Sequence, residues 1–310
     1  MKKYFLKRIL ATVFILLGVL LVTFILMYVV PGDPVQSFVG QRADQETISN
    51  LRKAWNLDQP LYSQFLKYTC RVFQGDLGKS YFTHESIFQN LMERFPNTFL
   101  LSFLAILTAA IIGIPIGILA ATNQNSFWDK GLLSLTLIGI SLPVFWSGIL
   151  ILIFASQMDT FPVFNLLNPL YFNLILAAFV LGIRPAALLA RITREQMIEI
   201  LKEDYILSAW SRGISKSRIV IVHALRNALP PILTTLALDF GSLLSGAAIT
   251  ETIFGIPGIG KYALSGLGRR DYPVIMGMVL FSAFIFVVTN LLVDLIISFL
   301  NPRLRQERDI

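Results

Sequence analysis

The chain has 310 residues, of which 55% are apolar and 15% charged, with a formal net charge of +7. An average soluble domain carries roughly 25% charged residues, so this composition excludes a soluble enzyme, a disordered tail and a secreted disulfide scaffold. With a mean hydropathy of +0.67, it predicts a polytopic membrane protein.

Six stretches are apolar enough to cross a bilayer, which takes ~20 residues of helix. The first, 9–32, is uncharged and follows Lys2, Lys3, Lys7 and Arg8. A secretory signal begins the same way, but its apolar region runs only ~7–15 residues and ends at a small-residue cleavage site. A retained helix is therefore expected. The next segment, 31–97, balances seven basic against seven acidic residues and is too long for a simple connector. Asp44 is placed to cap a helix over 45–56, with Ile48, Leu51 and Trp55 on one face. Pro60 suits the start of a helix over 61–73, and 84–95 is a third helical segment. The whole reads either as a lid over helix ends or as a docking surface for an external partner, and the residues leave both open.

The second and third stretches, 98–122 and 131–158, carry no charge. The fourth, 171–190, contains Arg184; the fifth, 228–250, contains Asp239; the sixth, 274–300, contains Asp294. A charge in hydrocarbon is costly, so each asks for a role. Asp239 fits a pathway-lining or proton-carrying group, and equally a polar contact between helices. Arg184 lies two turns before Arg191, about 10 Å by helix rise, so it can snorkel to the inner surface; the alternative is a substrate ligand. Asp294 fits an interfacial pair near the end of its helix.

Lysine and arginine placement sets orientation. With both termini inside, fifteen basic residues fall in cytoplasmic segments: four at the N-terminus, Lys130, seven in 191–227, and Arg303, Arg305 and Arg308. Ten fall outside, seven of them in the long segment that translocates regardless of charge, and the short segment 159–170 has none. An N-in, C-in topology is expected.

The segment 191–227 is the most informative. Ile198, Leu201, Tyr205 and Ala209 recur at helical spacing. Gly213 is a natural helix stop, and Ser215 or Ser217 can cap a second short helix running to about Asn227. Pro230 and Pro231 then open the fifth stretch. This is a basic helix–Gly–helix hairpin between two membrane helices, and rigid helices on both sides would carry any push on it into the bilayer. A plain interfacial hairpin fits the same features.

Several chemistries are excluded. The string Gly75-Asp-Leu-Gly78-Lys79-Ser80 is one residue short of a phosphate-cradling loop. Gly255-Ile-Pro-Gly258-Ile-Gly260 follows no strand, so it reads as a turn and not as a dinucleotide fingerprint. With one cysteine, Cys70, and two histidines, a Cys/His metal site and an intrachain disulfide are not expected. Neither a cofactor nor nucleic acid is expected, and no catalytic constellation is present. Energy for uphill transport must come from a partner or an ion gradient. Scattered intramembrane charges without an inverted repeat argue against a secondary transporter. An ion-coupled transporter or channel working through Asp239 and Arg184 remains the rival reading.

The hairpin also carries a resemblance. Asp204-Tyr-Ile-Leu-Ser208-Ala209-Trp-Ser-Arg212-Gly213 and His223-Ala-Leu225-Arg226-Asn227-Ala-Leu229-Pro230 resemble the EAA loop of binding-protein-dependent ABC importer permeases. The dipeptide, oligopeptide and nickel branch is the nearest in pattern, and its first permease subunit type in particular. Pro31-Gly32-Asp33-Pro34, Leu57-Asp-Gln-Pro60-Leu-Tyr62, Gly75-Asp-Leu-Gly78, Glu251-Thr-Ile-Phe254-Gly-Ile-Pro257-Gly258 and Arg270-Asp271-Tyr272-Pro273 follow in the order of that branch, as do Asp294 and Pro302-Arg303. Departures fall at Leu207, Ser208, His223, Arg226 and Asn301; the segment 157–171 is short, and Arg184 and Asp239 are unusual.

The resemblance implies an all-α, type I ABC importer permease fold with six transmembrane helices in the cytoplasmic membrane of a prokaryote. It divides the chain into a first helix (1–32), an extracytoplasmic helical loop (33–97), a five-helix core (98–300) and a cytoplasmic tail (301–310). It implies a non-catalytic subunit that forms half of a translocation path for short peptides. The partners it implies are a second, homologous permease in a heterodimer, two ATP-binding-cassette subunits and an extracytoplasmic solute-binding protein. The coupling positions carried over are Asp204, Tyr205, Ser208, Ala209, Gly213, His223, Leu225 and Asn227.

Overall fold

The computed structural model describes residues 2–29, 34–39, 44–55, 57–157 and 169–300. The expectations for 31–33, 159–168 and the tail 301–310, and for the side chain of Asp294, lie outside the described residues. The described residues form helices: α1 (Lys2–Val29), α2 (Pro34–Val39), α3 (Gln45–Ala54), α4 (Leu61–Phe73), α5 (Ile87–Thr122), α6 (Phe127–Ser141), α7 (Val144–Gln157) and α8 (Pro169–Ile200). They continue with α9 (Asp204–Ser211), α10 (Lys216–Arg218), α11 (Leu225–Leu244), α12 (Ala248–Ile253), α13 (Ile259–Arg269) and α14 (Tyr272–Leu300). Four described helices are long and apolar enough to cross a membrane, or five if the bent pair α6 and α7 forms one span.

Several elements differ from the sequence reading, each for a local reason. Residues 84–95 and the second apolar stretch do not form separate helices. They join in α5, whose 36 residues span about 54 Å by helix rise. Pro96 removes one N–H donor without ending the helix, because apolar residues on both sides of it are buried: Ile87 and Leu91 before, Leu101 and Ala105 after. The third stretch is broken instead, with α6 and α7 meeting at 98°. Pro143 has no N–H and holds Leu142 extended (φ −71°, ψ 129°), which stops α6. In the fifth stretch, Pro230 and Pro231 lie inside α11 rather than at its start. Proline therefore bends or passes through these helices according to what packs around it.

The chain divides into two compact units, Met1–Thr98 with Pro257–Val287, and Phe99–Ile256 with Val288–Ile310. In the first, Leu77, Ile87, Leu91, Ile259, Val274, Met278 and Phe281 form one core. Leu20, Phe24, Tyr68, Met276 and Leu280 form another. Burial pushes the Tyr68 phenol well above its ordinary range, so it stays neutral. Asp271 fastens the loop after α4: it accepts from the Ser80 hydroxyl and from the Tyr81 N–H at 3.2 Å. Asp44 and Pro60 precede α3 and α4 as expected, but Asp44 makes no side-chain cap bond and α3 buries no residue.

In the second unit, α8 is the central element, packed on α6, α7 and α11. Small residues let these helices approach. A Cβ on Gly117 would stand 2.5 Å from the Ala190 carbonyl oxygen, and one on Gly182 would stand 2.6 Å from that of Ala105. Only glycine permits α5 and α8 to meet this closely.

Candidate coupling hairpin and membrane charges

The segment between α8 and α11 is a hairpin of two arms. The periodic run from Ile198 to Ala209 is not one helix. It breaks after Ile200, and Glu203 turns extended (φ −68°, ψ 146°) to start α9. The first arm ends in a Schellman motif. The Gly213 N–H donates to the Trp210 carbonyl at 2.9 Å, and the Ile214 N–H donates to that of Ala209 at 3.3 Å. Gly213 holds φ at +74°, a left-handed value that a residue with a Cβ resists. Ser215 starts the second arm without a side-chain cap bond. That arm winds through a π-helical segment, Ile219–Ala224, and joins α11 in one continuous rod over Lys216–Leu244. The second arm and the fifth apolar stretch are thus a single body.

The hairpin is two-faced. Ile206, Ala209, Ile219, Val220, Ala224 and Ala228 are buried in one core with Leu189 and Met197 of α8 and Ile232 of α11. Ile206, Ile219 and Ala224 are fully excluded from solvent. The opposite face exposes Tyr205, Leu207, Trp210, Ile221 and Val222. Lys202, Arg212, Lys216, Arg218 and Arg226 lie near these residues along the chain, against Glu203 and Asp204, and all are exposed. Exposed aromatic and aliphatic residues among charged ones have the chemistry of a protein–protein contact.

The structure brings some of the predicted positions together. The Asn227 amide donates to the Tyr205 hydroxyl at 2.7 Å and to the His223 carbonyl at 3.1 Å. One residue therefore ties the two arms. Asp204 and Ser208 are exposed, Ala209 is buried, and Leu225 is half-buried against the core. The sequence reading missed one anchor. Arg194 of α8 grips Asp129 of α6 through two parallel bonds, Nε to Oδ1 at 2.6 Å and Nη2 to Oδ2 at 2.7 Å. The Asn125 N–H adds a bond to Asp129 at 2.8 Å. Ser126 and Asp129 stand three apart, as in a capping box, and the Ser126 hydroxyl accepts from the Asp129 N–H at 3.2 Å. That spacing marks where α6 begins; nothing in it points to an arginine 65 positions away. Of the intramembrane charges, Arg184 is exposed and Asp239 half-buried, and Arg184 is a charged neighbour of Asp239.

Comparison with known proteins matches this architecture to a family. Residues 113–306 match the binding-protein-dependent transport system inner membrane component family. Residues 1–102 match the N-terminal part of such membrane components. The chain belongs to this family. It is 40% identical over 319 residues to the di/tripeptide transport system permease protein DppB of Pseudomonas aeruginosa, covering 94% of this chain and 95% of that one. It is 36% identical over 339 residues to the dipeptide transport system permease protein DppB of Escherichia coli K12, covering 99% and 100%. Among solved structures, an inward-facing form of the MetNI methionine ABC transporter aligns with a TM-score of 0.57 at 17% identity, over 69% of this chain and 97% of that one. The fold is therefore that of an ABC importer permease. Family and apolar helices together make the chain a multi-pass inner membrane protein, and they place it among permease subunits rather than self-sufficient ion-coupled transporters.

Proposed function

We propose that the chain is one of two homologous permease subunits of an ATP-driven importer of short peptides, six-spanning with both termini inside. Its hairpin docks on a separate ATP-binding-cassette subunit. Two such ATPases and an extracytoplasmic solute-binding protein complete the assembly. The peptide substrate is supported by the names of the DppB relatives. The observation that carries the coupling role is the two-faced hairpin. One face is buried with α8 and α11, while the other presents Tyr205, Leu207 and Trp210 outward.

The mechanism follows from stiffness. Side chains in a close-packed core cannot shift independently, so a displacement of the exposed face moves Ile206 and Ile219, and with them α8 and α11. The Schellman turn and the Tyr205–Asn227 bond keep the arms together while this happens. The ATPase supplies the force, and the hairpin delivers it to two helices at once.

Purification from the native membrane should recover a second permease and ATPase chains with this one. Recovery of the chain alone, with transport in the absence of ATP, would overturn the reading. Gly213→Pro tests the hairpin itself. Proline fixes φ near −65° and lacks the N–H given to Trp210, so the turn cannot form. The variant should insert, yet ATP hydrolysis should be uncoupled from uptake, which falls about tenfold or more, a loss of at least about 1.4 kcal/mol of coupling. Normal uptake would remove the coupling assignment.

A further inference from the structure

Arg184 and Asp239 are the charges that the fold leaves in the middle of the second unit. Leu189 of α8 and Ile232 of α11 share the hairpin core, and the two helices run in opposite directions from the hairpin that joins them. Five residues back from Leu189, about 7.5 Å by helix rise, stands Arg184. Seven residues on from Ile232, about 10.5 Å, stands Asp239. Both charges lie beyond the shared core, in the same direction along two helices that pack on each other, and they are charged neighbours.

They do not close on each other. Among the described residues, neither makes a direct ion pair or hydrogen bond. Arg184 is exposed and Asp239 half-buried. A guanidinium here either snorkels to the inner surface or faces a water-filled path or a partner, and its place beside Asp239 favours the path. The stripe that carries Asp239 agrees. Ala228 and Ile232 on it are fully buried, while Thr235, Asp239 and Ser242, spaced at i, i+4 and i+7, make its continuation polar. Here α11 turns from packing to facing something wet.

We propose that Arg184 and Asp239 are paired ligands in the translocation path for the two free ends of a short peptide, its α-carboxylate at Arg184 and its α-ammonium at Asp239. Arginine suits a carboxylate because its planar fork bonds both oxygens. The free ends of an extended di- or tripeptide stand roughly 7–10 Å apart, at ~3.3–3.6 Å per residue. Two opposite charges near each other but not joined can take such a zwitterion between them, and they keep the empty path close to neutral. This assignment rests on the peptide-importer reading and adds what recognises the peptide inside the membrane.

The test uses the complete transporter in liposomes, with saturating binding protein loaded with an unblocked tripeptide, and reads peptide delivered per ATP hydrolysed. Arg184→Gln and Asp239→Asn should each lower this ratio about tenfold, while Arg184→Lys, which keeps the charge and loses the fork, should fall between Arg184→Gln and the wild type. Folding and assembly are read separately: all three variants should copurify with the full set of subunits and unfold in detergent at the wild-type temperature. The double variant, Arg184→Gln with Asp239→Asn, decides between ligand and structural pair. Two ligands lost together leave the ratio as low as either single change or lower. Recovery to the wild-type ratio would mean that the charges only neutralise each other, and an unchanged ratio in the single variants would remove them from the path. Both results overturn the assignment while leaving the importer intact. A wild-type complex whose ATP hydrolysis responds to loaded binding protein but which delivers no peptide would instead overturn the peptide reading.

Discussion

The hairpin 191–227 and the long loop 31–97 both carry short helices between longer ones, and they are held in different ways. The hairpin buries aliphatic side chains such as Ile206 and Ile219 in a core shared with α8 and α11. In the loop, α3 buries nothing and its C-terminal end is held by aromatic faces, while α4 and Leu77 beyond it join the cores of their own unit. Trp55 stacks on Tyr81 at 3.9 Å, and Phe38 meets the edges of Trp55 and Phe82 at 5.4 and 5.3 Å. Interlocked aliphatic groups resist movement in every direction, whereas stacked rings resist separation more than sliding. The hairpin is packed so that a displacement would spread to α8 and α11, as the proposed coupling role requires, whereas α3 is free to yield locally.

The sharpest way to break this contrast is at the anchor behind the hairpin. Arg194→Met leaves the Asp129 carboxylate, only 3% exposed at its side chain, without its cation. Stranding a buried charge in this way costs ~3–5 kcal/mol. Thermal unfolding in detergent should show a large loss, and replacing Asp129 by leucine as well should recover most of it. A single-variant loss below ~1 kcal/mol, the range of an exposed ion pair, would mean that water reaches the carboxylate.

A second change probes the helix contact on which α8 rests. The Cβ of Gly117→Ala would come within 2.5 Å of both the Ala190 carbonyl oxygen and the Thr193 Cβ. Such overpacking costs ~1–3 kcal/mol. Gly131→Ala in α6 meets nothing within 4 Å, so the same substitution there should gain up to ~1 kcal/mol from helix propensity. Equal effects at the two sites would contradict the close approach of α5 and α8.

How much of this was legible in the sequence depended on whether the cause was local. The start of α4 at Leu61 and the turn at Gly213 depend on neighbouring residues, and both were readable. The arms of the hairpin were readable as helical, but the break after Ile200 was not, because Ile198, Leu201, Tyr205 and Ala209 keep one period across it. Prolines misled where packing decided the outcome. Pro143 breaks a span that looked continuous, while Pro230 and Pro231 lie inside a helix they were expected to begin. The proposed coupling positions came from the resemblance of the string 204–230, but the bond between Tyr205 and Asn227 joins residues 22 apart through folding. The Asp129–Arg194 pair had no local signal of any kind.

In the loop, Trp55→Ala removes a stack worth ~0.5–1.5 kcal/mol beyond the area it buries. Its effect should stay local. Hydrogen exchange should speed up in α3 and remain unchanged in α9, whose buried side chains owe nothing to the stack. Exchange that rises in both would show the two regions to be one cooperative body, and the contrast between them would fall.

The smallest expected effect falls on the hairpin's exposed face. Tyr205→Phe keeps the ring and removes the hydroxyl that accepts from the Asn227 amide at 2.7 Å. The bond lies on an exposed part of the surface, where water replaces it, so stability should fall by no more than ~0.5–1.5 kcal/mol. The isolated chain and the assembled transporter need not respond equally. If the exposed face only covers the core, both should show the same small loss. If Tyr205 docks on the ATPase, its hydroxyl is desolvated in the complex, and the assembled transporter should lose coupling efficiency well beyond the loss in the isolated chain. Aromatic residues at the centre of an interface carry a disproportionate share of its energy. A difference between the two measurements therefore locates the contact, because the stability of the isolated chain already accounts for everything the bond contributes within the hairpin.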